Sequence, residues 1–370
     1  MINIKEQAFK EYHFIKSITL RNVNKIGKSA FEDCHNLTTI FIPDSVTEIE
    51  PYAFANCRSL KSIILPNGLT KIGERVFRGC HSLTTITIPV SVTEIGVDAF
   101  ANCSALTSVV LPDGLIKIDD GAFYHCSNLT TMTIPDSVTE IGPDAFAHCS
   151  ALTSVVLPNG LTKIRERTFY SCRNLTITHG SFTEIDIGSF AHCSALPNGL
   201  TEIGERAFFE CRNLTTLIIP NSVTEIGVNA FAYCSALTSV VLPNGLTKIN
   251  KEVFHYCLKL TTISIPDSVT EIGPSAFALC GTLTSLVLPN GLTKIGEDAF
   301  YSCLSLKMLV IPDSVTELRS YAFAHCSALT SVVLPNRLTK VGLRVFYGCH
   351  SLTQVPNISG LVIKNSAMRN

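Results

Sequence analysis

A short pattern of hydrophobic and polar residues recurs along most of the chain at a spacing of 23 residues. In one copy, apolar Met132 and Ile134 alternate with polar Thr131 and Thr133, which predicts a short strand with one buried face. Pro135 follows directly, and we expect the strand to end there because proline has no N–H group. A fixed period of this size predicts a solenoid, in which each repeat forms one coil stacked on the next.

The remainder of each coil predicts a turn with inward-facing apolar residues. Val138 and Ile141 form a second short apolar pair, and the Gly-Pro pair at 142–143 predicts the start of a brief helical turn. Phe146 and Cys149 lie three residues apart and are expected to point inward together. The predicted fold class is therefore a repeat solenoid, mainly β with short helical turns. We expect a curved array of 23-residue coils with one long parallel sheet.

The repeat also resembles a known family. Its pattern, Leu-x-x-Ile-x-Ile-Pro-x-Ser-Val-Thr-x-Ile-Gly-x-x-Ala-Phe-x-x-Cys, is similar to the BspA-type (Treponema pallidum-type) leucine-rich repeat, over roughly residues 9 to 352. The resemblance implies a repeat array of a kind known mostly from bacterial surface or secreted proteins and from parasitic protists. In that family such arrays are implicated in adhesion and host-protein binding. The resemblance implies no enzymatic site.

Cysteine occupies the same position in every repeat. The chain has fifteen cysteines, and twelve of the fourteen intervals between them are 23 residues long. The number is odd, each cysteine lies near an inward phenylalanine, and free cysteine is readily buried, so we predict a reduced ladder in the core. Two alternatives remain open. Cysteines of neighbouring coils would lie about 5 Å apart, within disulfide range, and a metal site is conceivable although no Cys-x-x-Cys pair occurs. We expect no cofactor and no metal.

Composition and charge exclude several classes of partner. Apolar residues make up 46% of the chain and charged residues 16%, with a net charge of −1. Lysine and arginine are scattered and matched by acids, so we expect no nucleic-acid binding. No uninterrupted apolar run of about 18 residues occurs, which predicts no membrane insertion. The first residues lack the apolar core of a secretory signal, so the sequence favours a soluble chain, either cytoplasmic or exported by a non-classical or specialised route. It leaves the compartment unknown.

The repeat predicts one leucine-rich repeat domain over residues 1–370 with one irregular stretch. Its predicted parts are an N-terminal cap and first coil (1–33), regular repeats (34–172), shortened repeats (173–211), regular repeats (212–349), and a C-terminal cap and tail (350–370). In the shortened stretch, 39 residues replace the 46 that two coils would need. We predict a hinge at His179, Gly180, Pro197 and Asn198. The functional interpretation of this stretch is a binding notch, and the alternative is a tolerated slip in a repetitive sequence.

A second period of 46 residues overlies the first. Coils with Pro-Asp-Ser-Val-Thr-Glu-Ile alternate with coils with Pro-Asn-Gly-Leu-Thr-Lys-Ile, so glutamate and lysine alternate at one position. Stacking would place opposite charges side by side, which predicts a solvated ladder that fixes the register. A ligand-binding role is the alternative. The alternating positions are Glu48, Lys71, Glu94, Lys117, Glu140, Lys163, Glu225, Lys248, Glu271, Lys294, Glu317 and Lys340.

The outward positions of the predicted strands form the candidate protein-binding surface, the concave face on which partners of such arrays usually lie. Long exposed apolar surfaces usually mark interfaces. The alternative is that threonine and valine are there only because they suit strands. The stripe has no Trp, Tyr or Arg, which are the usual hot-spot residues. Its candidate residues are Phe41, Ile64, Val110, Val156, Ile218, Val241, Val287, Val310 and Val333.

These observations predict a non-catalytic scaffold for protein–protein interaction. The resemblance extends this to binding of a host protein, as an adhesin-related or effector protein. One alternative is a structural or self-associating repeat module. A remote one is ice binding by the threonine pairs at 85–87 and 131–133. No nucleophile elbow, phosphate loop or zinc-protease motif occurs, so we expect no enzyme.

Overall fold

The structure is a computed structural model, and it describes residues 2–179, 183–193 and 200–353. These residues form two compact units. The first unit comprises 2–179, and the second comprises 183–193 and 200–353. Each unit is a parallel β-solenoid of stacked coils, as the repeat predicts. The division of the chain into one domain with caps stays a prediction.

Most of the described coils have a short strand that ends two residues before the proline. The central residue of the strand is buried while its two neighbours face outward, for example Ile263 between Thr262 and Ser264. We call this series the first row. In the first unit it comprises Ser17–Thr19, Thr39–Phe41, Thr85–Thr87, Ser108–Val110, Thr131–Thr133, Ser154–Val156 and Thr176–His179. In the second unit it comprises Thr216–Ile218, Ser239–Val241, Thr262–Ser264, Ser285–Val287, Met308–Val310 and Ser331–Val333.

A second row of strands, mostly of two residues, follows the proline-containing loop. The sequence shows these residues only as a short apolar pair, and their pairing into a parallel ladder is an addition to the predicted single sheet. In the first unit the second row comprises Ile2–Ile4, Val23–Ile26, Glu48–Ile49, Lys71–Ile72, Glu94–Ile95, Lys117–Ile118, Glu140–Ile141 and Lys163–Ile164. In the second unit it comprises Glu184–Ile185, Glu202–Ile203, Glu225–Ile226, Lys248–Ile249, Glu271–Ile272, Lys294–Ile295, Glu317–Leu318 and Lys340–Val341.

The predicted short helical turns are instead non-helical turns, and the described residues include no helix. In the coil before Cys149, alternate N–H groups bond to the next coil, as Phe146 N does to Thr168 O at 2.9 Å. The N–H groups between them bond three residues back, as Ala147 N does to Asp144 O at 3.0 Å. Asp144 has a φ of +55°, in the left-handed region that ends a right-handed helix. Contacts between coils thus replace the helical hydrogen bonds.

The core is a ladder of phenylalanine and cysteine, and its predicted burial is confirmed. Phe31 and Phe54 are fully buried, with ring centroids 5.3 Å apart and planes within 1° of parallel. All fifteen cysteines are buried with free thiols. The Cys57 thiol donates to the carbonyl oxygen of Phe31 in the preceding coil, at 3.1 Å. That oxygen also accepts the N–H of Cys34, so the thiol supplies a second hydrogen bond to a buried carbonyl group.

Polar side chains in the loop after the first row explain the period of 46 residues. The Oδ1 atom of Asp313 accepts the N–H of Asn336 in the following coil at 2.9 Å. The hydroxyl group of Ser268 donates to Leu246 O in the preceding coil at 2.7 Å. In coils with Asp-Ser, the aspartate thus accepts a hydrogen bond from the following coil and the serine donates one to the preceding coil. The doubled repeat is therefore a hydrogen-bonding unit as well as a charge pattern.

The shortened stretch is only partly within the described residues. The strand Thr176–His179 pairs with Ser154–Val156, and its register shifts so that Val156 lies opposite His179. An irregular pairing of this kind lets neighbouring coils of different length remain paired. Gly180, Pro197 and Asn198 lie outside the described residues. The hinge stays a prediction.

Candidate protein-binding surface

The first-row strands expose three positions per coil, which we name the strand face. In the coil Thr284–Leu288 these are Thr284, Ser285 and Val287, while Leu286 and Leu288 are buried. The alternation follows from the two-residue period of a strand. The third position contains the candidate binding residues. Eight of these are exposed, between 53% and 81%, namely Phe41, Ile64, Val110, Ile218, Val241, Val287, Val310 and Val333.

The two units differ in how continuous this apolar stripe is. In the first unit, exposed Thr87 and Thr133 interrupt it, and Val156 is only half-buried rather than exposed. Ile64 is the most exposed of the candidates, although the structure has no first-row strand in its coil. In the second unit only Ser264 interrupts the stripe. The second unit therefore has the longer apolar surface.

The apolar surface in the second unit also includes Met308, which the sequence pattern did not single out. Met308 is 65% exposed and occupies a position that is serine or threonine in the other first-row strands. Its strand pairs with Ser331–Val333, and Val310 lies opposite Val333. We name Val287, Met308, Val310 and Val333 the apolar cluster. The signal that could have located it is the loss of a hydroxyl residue from an otherwise hydroxyl column.

The threonine hydroxyl groups in the first column of the strand face are used within the fold. The Oγ1 atom of Thr238 donates to Thr215 O at 2.8 Å, and Thr261 Oγ1 donates to Thr238 O at 3.1 Å. Thr284 continues the series at 3.2 Å. These hydroxyl groups add a hydrogen bond between successive coils and so help to fix their register. The column is therefore explained by the fold, whereas the exposed apolar side chains are not.

The alternating glutamates and lysines on the second row, which we name the charged row, lie in the predicted register. Glu271 is opposite both Lys248 and Lys294, and its carboxylate lies 2.7 Å from Lys294 Nζ. The hydrogen bond from Lys294 is the main cause that lowers the pKa of Glu271. Glu317 likewise lies 2.8 Å from Lys340. Each of these two glutamates therefore has a lysine partner within the row.

A shallow groove of about 650 Å³ lies beside the charged row in the first unit. Several of its lining carboxylates already have cations within the fold. Lys25 lies 2.7 Å from Glu50, and Lys117 lies 2.8 Å from Asp119. Neighbouring Lys71 also lies in the groove wall. The groove wall therefore has more carboxylates than cations, and the neighbouring lysines neutralise only part of its negative charge. The residues that the structure describes contain no group of three or more metal-ligating side chains.

Aromatic side chains line the turn side of the coils, a feature that sequence reasoning missed. In the second unit, Tyr233 contacts the rings of Phe209, His255 and Tyr256, with centroids 5.0 to 5.4 Å apart. Arg206 lies over the Phe209 ring at 5.4 Å. Most of these rings are half-buried against one another, which accounts for them as packing between coils. The aromatic residues at the two positions before several of the cysteines were the available signal.

The cysteine thiols lack the environment of reactive cysteines. Burial raises the pKa of Cys103, Cys149 and Cys280 to about 12. A reactive thiol needs a lowered pKa and access to solvent. Cys349 has a lowered pKa, caused first by its hydrogen bond with Cys326, but it is also buried. The ladder is therefore a structural feature of the core.

Fold and surface together define a leucine-rich repeat solenoid. A family profile described as "BspA type Leucine rich repeat region (6 copies)" matches residues 1–107, 71–196, 177–281 and 247–370. These matches extend over the whole chain. The chain therefore belongs to the BspA-type leucine-rich repeat family, and the resemblance noted in its sequence is confirmed. It is a repeat scaffold of a class consistent with protein interaction.

Three solved bacterial structures are similar to this chain. A leucine-rich repeat protein from Bacteroides ovatus shares 29% identity, with 91% of this chain and 85% of that chain covered and a TM-score of 0.76. A leucine rich cell surface protein from Faecalibacterium prausnitzii shares 25% identity over 90% and 82%, with a TM-score of 0.47. The T. pallidum leucine-rich repeat protein shares 22% over 73% and 78%, with a TM-score of 0.23. Only the first superposes well enough to support the fold in detail.

No curated protein sequence matches the chain. Within residues 2–179, 183–193 and 200–353, no helix has the length and apolar character needed to cross a membrane.

Proposed function

We propose that this chain is a non-catalytic scaffold that binds another protein through the strand face. The observation that carries the proposal is the exposed apolar stripe of the second unit, where Val287 is 70% exposed and Ile218 is 74% exposed. Exposed apolar residues in a continuous series usually mark protein interfaces. Beta propensity requires a strand-forming residue at these positions, and threonine would satisfy it without exposing as much apolar surface.

The finer part of the proposal is that the partner is a host protein and the chain an adhesin-related or effector protein. Its support is the family, in which such arrays are implicated in adhesion and host-protein binding. The absence of enzymatic activity is also part of the proposal. It is supported by a fold and family of repeat scaffolds and by a charged row whose described members are largely paired with one another.

The test combines absolute mass by light scattering with capture from a host-cell lysate. Val241→Asp and Val287→Asp place charges in the stripe, and Lys248→Glu places one in the charged row as the matched control. The proposal predicts a monomer that captures a partner, with capture lost in the two strand-face variants and retained in the control. An oligomer that the aspartates dissociate would indicate self-association instead. Capture unchanged in all three variants would contradict the proposal.

A further inference from the structure

The strand face also differs from the rest of the surface in its charged residues. In the fourteen coils in which a proline follows the cysteine, the residues between those two positions include no aspartate or glutamate. The chain has 30 acidic residues, so their absence from these segments is a property of one surface and not of the composition. The same segments contain five cations, namely Arg58, Lys61, Arg212, Lys259 and Lys307.

Where these segments lie within residues 2–179, 183–193 and 200–353, the structure places them on one side of each coil. They comprise the strand face and the short turn that leads into it from the cysteine. The acids lie elsewhere, for example on the charged row, where Glu271 has Lys248 at 3.6 Å and Lys294 at 2.7 Å. Arg212, in one of the turns, is paired with Glu210 at 2.8 Å. The strand positions themselves have lysines and no carboxylate of their own.

Lys307 is the cation best placed to act on a ligand. It is exposed and occupies the first column, where the other first-row strands of the second unit have threonine. Met308 follows it directly, and Val310 lies two residues further along the same strand. Within the described part of the chain no ion pair includes Lys307. A positive charge thus borders the apolar cluster.

The first unit repeats the arrangement independently. Lys61 is exposed in the same column. The exposed side chain of Ile64 lies in the same coil as Lys61, and that of Phe41 lies in the preceding coil. In both units a lysine of this column therefore lies beside exposed apolar side chains.

We propose that the apolar cluster with Lys307 recognises an acidic, apolar protein segment. The partner's aliphatic or aromatic side chains contact Val287, Met308, Val310 and Val333, and a carboxylate of the partner pairs with Lys307. This inference rests on the proposed protein-binding function and specifies the chemistry of the partner. Complementary charge at the edge of an apolar contact favours the right partner and accelerates association.

A nucleic acid is a poorer occupant of the same surface. Polyanion binding needs a dense series of cations that neutralise successive phosphates. The strand face has isolated lysines between hydroxyl and apolar residues, and it has no exposed aromatic residue beside Lys307 on which a base could stack. A protein segment with both apolar and acidic side chains fits these groups better.

The probe is a random peptide library displayed on phage and selected against the full chain, with selection repeated on the Met308→Asp variant. The expected peptides combine Leu, Ile, Val or Phe with Asp or Glu, and they are not enriched on Met308→Asp. Binding of a selected peptide should weaken about tenfold or more with Lys307→Glu and become less dependent on salt. A version of the peptide with lysine in place of its acids should regain affinity for Lys307→Glu. Lys248→Glu is the matched control and should leave binding unchanged.

The outcomes separate this inference from the proposed function. If Val287→Asp abolishes peptide binding and Lys307→Glu does not affect it, the proposal of protein binding on the strand face stands and the proposal of an acidic partner is overturned. Selection of basic peptides would overturn it as well. Single-stranded DNA that binds the parent chain and is released by Lys307→Glu would assign the lysine to phosphate instead. Peptides unaffected by either substitution would overturn both proposals.

Discussion

The strand face and the charged row are both exposed surfaces built on stacked short strands, yet their side chains are satisfied in different ways. In the charged row, Glu271 lies between two lysines of neighbouring coils. On the strand face, Val241 and Val287 project into solvent, and no residue in the described part of the second unit covers them. The difference teaches that exposure alone does not locate a binding surface in a repeat protein. A row of charges that pair with one another leaves few groups to bind a partner. An uncovered row of apolar side chains can bind one.

Alkaline pH should produce the largest effect, because it acts on the cysteine ladder that supports both surfaces. Burial raises the pKa of Cys103, Cys149 and Cys280 to about 12, against an ordinary value of 9.0. Above pH 9 these thiols ionise in the unfolded chain before they ionise in the folded one, so the unfolded state binds fewer protons. Folding stability is therefore complete below pH 9 and falls as pH rises, by about 1.4 kcal/mol per pH unit for each such thiol.

Chemical denaturation at successive pH values measures this slope. A Cys103→Ala variant has one buried thiol fewer, so its slope should be smaller by about 1.4 kcal/mol per pH unit. The hydrogen bond to Asp119 raises the pKa of Lys117 in the charged row above 10.5, so this lysine contributes mainly at higher pH. A parent protein equally stable at pH 8 and pH 10.5 would show that the ladder is accessible to water.

Removal of a core ring should destabilise both surfaces together. Phe277 is fully buried and stacks on Phe254 and Phe300, with centroids 5.4 and 5.2 Å away. Phe277→Ala should lower the free energy of unfolding by about 3 to 5 kcal/mol. Leu258→Ala is the control, since Leu258 is partly exposed and should cost much less. Equal melting temperatures for Phe277→Ala and the parent would contradict the assignment of this ring to the core.

The threonine column sharpens the comparison within the strand face itself. Thr238 Oγ1 donates to Thr215 O at 2.8 Å, so Thr238→Val removes a hydrogen bond between coils while keeping the shape of the side chain. We expect a loss of about 1 kcal/mol in the free energy of unfolding. Thr262→Val changes an exposed outward hydroxyl group of the following coil and should have little effect. An equal loss of unfolding free energy in Thr238→Val and Thr262→Val would contradict the claim that only the first hydroxyl group stabilises the fold.

The smallest effect is expected from the charged row. Lys294→Met removes the lysine that lies 2.7 Å from Glu271, and because the pair is still partly exposed to water the cost should be only a few tenths of a kcal/mol. The folded-state pKa of Glu271 is lowered from 4.5, so this contribution is present above pH 4.5 and is lost as pH falls through the lower folded value. Urea denaturation at pH 7 and at low pH measures both. A loss of several kcal/mol at pH 7 would show that the row is essential to the fold.

The repeat itself explains how much could be predicted from the sequence. The buried positions of Phe146 and Cys149, the outward positions of Val241 and Val287 and the register of Glu271 all follow from a fixed spacing, because each coil stacks on an equivalent neighbour. The turn before each cysteine was predicted as helical because proline and apolar spacing suit a helix start. Its hydrogen bonds to the next coil, which replace the helical ones, depend on tertiary stacking that local sequence does not encode.

Other features required the coordinates. The Cys57 thiol donates a hydrogen bond to Phe31 O, 26 positions away, and the Asn336 N–H donates one to the Asp313 carboxylate, 23 positions away. Composition gives no sign of the geometry of either hydrogen bond. Met308 was missed because the stripe was followed only at the third strand position. Met308 lies in the neighbouring column, where the other first-row strands have serine or threonine. The partner's identity cannot follow from a repeat whose core positions are fixed by stacking alone.

Photocrosslinking tests the central claim most directly. A photoreactive amino acid is placed at Val287 on the strand face and, in a separate variant, at Lys248 on the charged row, and each protein is irradiated in host-cell lysate. The account predicts a discrete adduct from position 287 and none from position 248. An adduct from position 248 alone, or adducts of equal yield from both positions, would contradict the assignment of binding to the strand face.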